Sequence, residues 1–139
     1  MSGVRAAFAD QARSCHELGS DLTAQIVATL GTALQPDQGA VARRVLHWPG
    51  DVSFRGASVS LRLAGALHAQ VLQGRAPTLA AAYARGEAPA GLLLDAIAEH
   101  EADILRWLGH APQTNEVGRS AALIAGARFA LAQMGGPRP

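Results

Sequence analysis

The chain has 139 residues, a formal net charge of +1 and 49% hydrophobic residues, enough length for one domain with an apolar core that needs neither a metal nor disulfides. Its twelve positive residues, all arginines, are scattered from Arg5 to Arg138 among acidic residues, and only 4% of the chain is aromatic, which excludes the clustered basic stripe and stacking aromatics of a nucleic-acid-binding surface. Cys15 is the single cysteine, so an intramolecular disulfide is excluded, and no uncharged apolar run approaches the roughly 20 residues of a membrane span, because Arg62, Asp95 and Arg128 interrupt the best candidates. The start, Met1-Ser2-Gly3-Val4-Arg5, has no apolar h-region, and with the lone cysteine this predicts a soluble, cytoplasmic chain.

The hydrophobic share is mostly alanine and leucine, residues that favour helix. A first helix is predicted over Val4 to Leu18, with Val4, Phe8, Ala12 and Cys15 on one face and Gly19 as a left-handed C-cap. Ser20 is placed to cap a second helix whose stripe reads Leu22, Ile26, Leu30 and Ala33 and which Pro36 breaks. A short third helix, Gln38 to Leu46, is closed by Trp48-Pro49-Gly50-Asp51, and Gly50 to Ser58 reads as loop. The fourth helix, about Val59 to Gln73, is apolar on most of its circumference and therefore belongs in the centre. Gly74 ends it, and a brief helical turn through Leu79 and Tyr83 follows Pro77. A sixth, amphipathic helix runs from Ala90 to Leu108 with Leu93, Ile97, His100, Ile104 and Trp107 on one stripe. Asn115 is a plausible N-cap for a seventh, reaching about Met134, in which Gly118, Ala122, Gly126 and Ala130 recur every four residues and leave a groove for a close neighbour, expected to be helix four. No strand pattern or repeat period is present. The expected fold is all-α: one domain over 1–139, six or seven helices around the central helix 59–73, with 136–139 a tail.

The densest polar segment is Pro112-Gln113-Thr114-Asn115-Glu116-Val117-Gly118-Arg119-Ser120. Unpaired N–H groups and the positive dipole end at a helix start can hold an anion or carboxylate, with Arg119 assisting one turn in. The plainer alternative is that Asn115 caps, Glu116 pairs with Arg119 and Gln113 satisfies loop carbonyls. Arg62, Gly65 and His68 form the second group, read as lying near one face of the apolar fourth helix. Glu116 is the acidic partner expected for Arg62; a buried structural ion pair and a backbone-bonded histidine are the alternative. A functional reading joins Arg62, His68, Gln113, Thr114, Asn115, Glu116 and Arg119 into one ligand pocket.

Other groups carry less chemistry. His100-Glu101 lacks the second histidine of the zinc-protease pattern, because Ile104 stands four positions on. Cys15 and His16 are adjacent in a helix and point about 100° apart, so they do not form a nucleophile–base pair. Gly56-Ala57-Ser58-Val59-Ser60 misses the nucleophile-elbow pattern at its final glycine. Trp48 reads as a core anchor at a helix end. No glycine-rich phosphate loop is present, so no cofactor and no complete catalytic centre are expected within the chain.

At Leu61-Arg62-Leu63-Ala64-Gly65-Ala66-Leu67-His68 and at Pro112 to Ser120 the chain resembles the bacterial domain-of-unknown-function 2332 family, as it does at the Trp48-Pro49-Gly50-Asp51 turn and the Gly19-Ser20 break. The resemblance spans nearly the whole chain in matching order. It implies a helical N-terminal half, a substrate-side cap with no assigned reaction. Longer members of the family continue past the equivalent of Met134-Gly135-Gly136 into a strand and a glycine-rich turn similar to the nucleotide or S-adenosylmethionine loop of a Rossmann-like methyltransferase fold. The expected function is therefore a helical accessory or cap domain that binds a ligand or partner, the partner being a Rossmann-like domain or a separate chain. The alternatives are the substrate-side part of a methyltransferase-like enzyme, completed elsewhere, and a structural helical homo-oligomer.

Overall fold

The computed structural model describes residues 2–49, 52 and 58–109. Among these it contains seven α-helices and no strand: α1 (Ser2–Glu17), α2 (Asp21–Ala33), α3 (Ala40–Leu46), α4 (Val59–Leu72), α5 (Pro77–Ala84), α6 (Ala90–Glu99) and α7 (Glu101–Gly109). The all-α expectation holds. The last predicted helix, from Asn115, lies outside the described residues, as do its packing against helix four and most of the loop from Gly50.

α1 ends where the sequence places its stop. Gly19 has φ +82°, and the amides of Gly19 and Ser20 donate to the carbonyls of His16 and Cys15, the reversed bonding that satisfies the last carbonyls of a helix. The expected face is buried at Val4, Phe8 and Cys15, with Ala12 packed beside them. Cys15 is buried while His16 is exposed, so their divergence is as the helical spacing requires.

α2 folds back along α1, but its buried face is rotated from the predicted stripe. Ile26 and Leu30 are fully enclosed, whereas Thr23, Val27 and Gly31 are buried in place of Leu22 and Ala33. The reason is the α1 contact: a Cβ on Gly31 would stand 2.8 Å from the Phe8 Cβ, so the helices meet on the side where α2 has least volume. Arg5 closes the far end of this pair, donating from Nη1 to the Gly31 carbonyl (2.8 Å) and from Nη2 to the Leu34 carbonyl (2.7 Å), a cation on the negative end of α2. Ser20 occupies the N-cap position without making a side-chain cap bond.

Two expected helices are divided. In place of a continuous Gln38–Leu46 helix there is a 3-10 turn, Pro36–Gln38, closed by reciprocal Gln35–Gln38 capping, and α3 then starts after Gly39 at φ +130°. The predicted Ala90–Leu108 helix bends at His100 (φ −115°, ψ 30°) into α6 and α7. The i→i−4 bonds His100 to Ala96 and Ile104 to His100 survive, so the junction is a kink, fixed from outside by a 2.9 Å bond between His100 Nε2 and the Arg75 carbonyl. α5 is a full two-turn helix and not the brief turn expected, with Pro77 in its first turn, where the missing N–H is no loss.

α4 is the centre. Every residue from Val59 to Val71 is buried except Leu61, and Leu63, Ala64, Ala66 and Leu67 join Phe8, Ile26, Leu30, Val45, Tyr83, Leu93 and Ile104 in one core. Such an all-round apolar helix cannot present a polar face to water, which is why the other elements gather around it.

Candidate functional site

Polar groups on α4 are the exceptions in this core: Ser60, Arg62, His68 and Gln70, with Ser58 just before the helix. Ser58 makes no side-chain cap bond; its Oγ instead lies 2.7 Å from that of Ser60. Arg62, 6% exposed, donates from Nη1 to the carbonyl of Trp107 at 3.2 Å. Its guanidinium therefore sits against the last turn of α7, a few residues before the segment that begins at Pro112.

His68 takes a different direction. Six residues of helix turn it about 120° from Arg62 and advance it about 9 Å along the axis, and its ring meets Tyr83 of α5 edge to face, with centroids 5.7 Å apart and planes at 87°. The helix thus shares Arg62 and His68 between two neighbours, α7 and α5, where the sequence reading set them near one face. Burial depresses the His68 pKa to about 4, so the ring is neutral near pH 7, and burial likewise pushes the Tyr83 phenol upward. Both ring nitrogens of His68, the Tyr83 hydroxyl and the Gln70 Oε1 are buried and make no hydrogen bond among the described residues. Neutral imidazole still carries one donor and one acceptor, and leaving such groups unpaired costs about 1–3 kcal/mol each.

Gln113, Thr114, Asn115, Glu116 and Arg119 lie outside the described residues, as does the Arg62–Glu116 pairing. The secondary candidates are structural. His100 bonds the Arg75 carbonyl, which requires its Nε2 to carry the proton, and Asp103 pairs with both Arg75 and Arg106 beside it. Trp48 is half-buried against the core with the Arg44 guanidinium 5.3 Å from its ring centroid. No group of three or more His, Cys, Asp or Glu among the described residues could hold a metal ion, and no described helix is long and apolar enough to cross a membrane.

Sequence reasoning missed Tyr83 and Gln70 as companions of the α4 histidine and arginine. Tyr83 is the only tyrosine and falls four residues after Leu79, a spacing that marks a buried stripe on α5. Gln70 stood inside an apolar run, where a lone amide is itself a signal of a polar site. No curated protein and no solved structure matches the chain. A family model described as an uncharacterized protein conserved in bacteria, DUF2332, matches residues 5–139, and on that match, which takes in all of the described fold but the first residues of α1, the chain belongs to this family.

Proposed function

We propose that the chain is a helical accessory domain that binds a ligand or partner and is not an enzyme on its own, with Arg62 at the base of the site and Gln113, Thr114, Asn115, Glu116 and Arg119 supplying its polar rim. The observation that carries this reading is the bond from Arg62 to the Trp107 carbonyl, because it holds a buried cation beside the stretch of chain that leads into the polar segment five residues later. A buried guanidinium, together with the amide and hydroxyl groups of a segment whose sequence reads as a helix start, suits a carboxylate or phosphate. The partner expected from the family resemblance is a Rossmann-like domain or chain.

A thermal-shift titration of the full chain against small carboxylates, inorganic phosphate, S-adenosylmethionine and S-adenosylhomocysteine tests this. A ligand at a hundredfold excess over Kd stabilises the folded state by about 2.7 kcal/mol, several degrees in Tm, and the rise should vanish in Arg119→Ala. A response to S-adenosylmethionine would move the chain to the substrate side of a methyltransferase-like enzyme. A response that Arg119→Ala leaves intact would remove the polar segment from the site.

A further inference from the structure

We propose that the groove between α1 and α2 is a second site, separate from the one above, which takes a small monocarboxylate with a short apolar tail, its head on Arg5 and its tail between the alanines of the two helices. The groove has a volume of about 730 Å³, inside the roughly 300–1,000 Å³ usual for small-molecule sites. Its walls come from α1, from α2 and from Gln35 just after α2. The space follows from the helix pair itself. Gly31 lets α2 lie against the Phe8 Cβ, and the alanines that line the groove, Ala9, Ala12 and Ala28, bring little volume of their own.

The lining is polar at one end. Arg5 bonds the carbonyls of Gly31 and Leu34, which sets the start of α1 against the end of α2 and gathers Arg5, Thr32 and Gln35 there. Ala9 and Ala12 follow one and two turns along α1, and Ala28 stands one turn back from Thr32 on α2, so the apolar part extends about 10 Å from Arg5. Arg5 is the one charged residue of this lining among the described residues. Arg13, Arg75, Arg85 and Arg106 each meet a carboxylate, whereas Arg5 bonds two backbone carbonyls and no acid among the described residues. A guanidinium has more N–H groups than those two bonds use, and its planar fork matches a carboxylate. The bonds fix the group before a ligand arrives, which lowers the ordering cost of binding, and they cover carbonyls at the end of α2 that would otherwise repel an anion. An anion without a tail leaves the alanines in water, and a neutral guest leaves the cation unanswered. The proposal does not rest on the Arg62 reading, because Arg62 bonds α7 and this groove is made by α1 and α2.

The test is an NMR titration of the full chain, with isotope-labelled alanine methyls, against octanoate below its micelle concentration, with octanol as the probe that lacks the charge and acetate as the probe that lacks the tail. Octanoate should shift the methyls of Ala9, Ala12 and Ala28 saturably. Octanol and acetate should bind at least about tenfold more weakly, and Arg5→Gln should bring octanoate down to the level of octanol, a loss of the size of one charge-assisted hydrogen bond. Because Arg5 also closes the end of α2, a second variant keeps it: Ala28→Leu, at an exposed position, fills the groove and should abolish the shifts of Ala9 and Ala12. Arg119→Ala should leave octanoate binding unchanged, which separates this site from the first. Equal affinity for octanoate and octanol or acetate, shifts confined to other alanines, or undiminished binding in Ala28→Leu would overturn the proposal.

Discussion

His68 shows how much a single side chain can report about its surroundings. Burial is what lowers its pKa from 6.5 to about 4, so between those values the unfolded chain binds a proton that the folded chain refuses. Stability from this group is then complete above pH 6.5 and is lost as the pH falls toward 4, by up to about 3 kcal/mol at 1.36 kcal/mol per unit. Urea unfolding midpoints of the full chain at pH 7, 5.5 and 4.5 should fall in that order, and His68→Leu should flatten this part of the profile. A midpoint that holds steady between pH 7 and 4.5 would mean that the ring is hydrated in solution. The presence of a buried histidine was legible in the sequence, since a titratable residue stood in an otherwise apolar helix; the loss of its charge was not, because that depends on which residues enclose it.

The pair formed by α1 and α2 depends on one missing side chain. Gly31 lies against the Phe8 Cβ, an atom tied to the α1 backbone, and an added Cβ would come within 2.8 Å of it. Gly31→Leu must therefore push the helices apart, and overpacking of this kind costs about 1–3 kcal/mol. Gly91, by contrast, has nothing within 4 Å of a Cβ in α6, and Gly91→Ala should be neutral or stabilise by up to about 1 kcal/mol through helix propensity. Chemical denaturation of the two variants side by side checks the difference in sign. The existence and order of these helices could be read from apolar spacing and turn residues. The rotation of the α2 face could not, since Gly31 counts as apolar or indifferent in any periodicity and becomes decisive only when Phe8 is placed opposite it.

Around α4 the whole assembly closes, so truncation there should be felt everywhere. Leu67 is fully buried in the common core, whereas Leu18 at the α1–α2 turn is 73% exposed. Leu67→Ala is expected to cost about 2–5 kcal/mol and Leu18→Ala less than about 0.5 kcal/mol. Equal losses in thermal unfolding would mean that α4 is not the packing centre.

Helical class, the central place of α4 and the stop at Gly19 follow from the order of residues alone, because propensity, periodicity and capping act within a few positions of the chain. The assignment of Arg62 to α7, of His68 to Tyr83, of Arg5 to the end of α2 and the bend at His100 joins residues 15 to 45 positions apart. Those pairings belong to the packed molecule, since helices choose their neighbours by the volumes and polar groups they bring together in three dimensions, and local spacing carries no record of that choice.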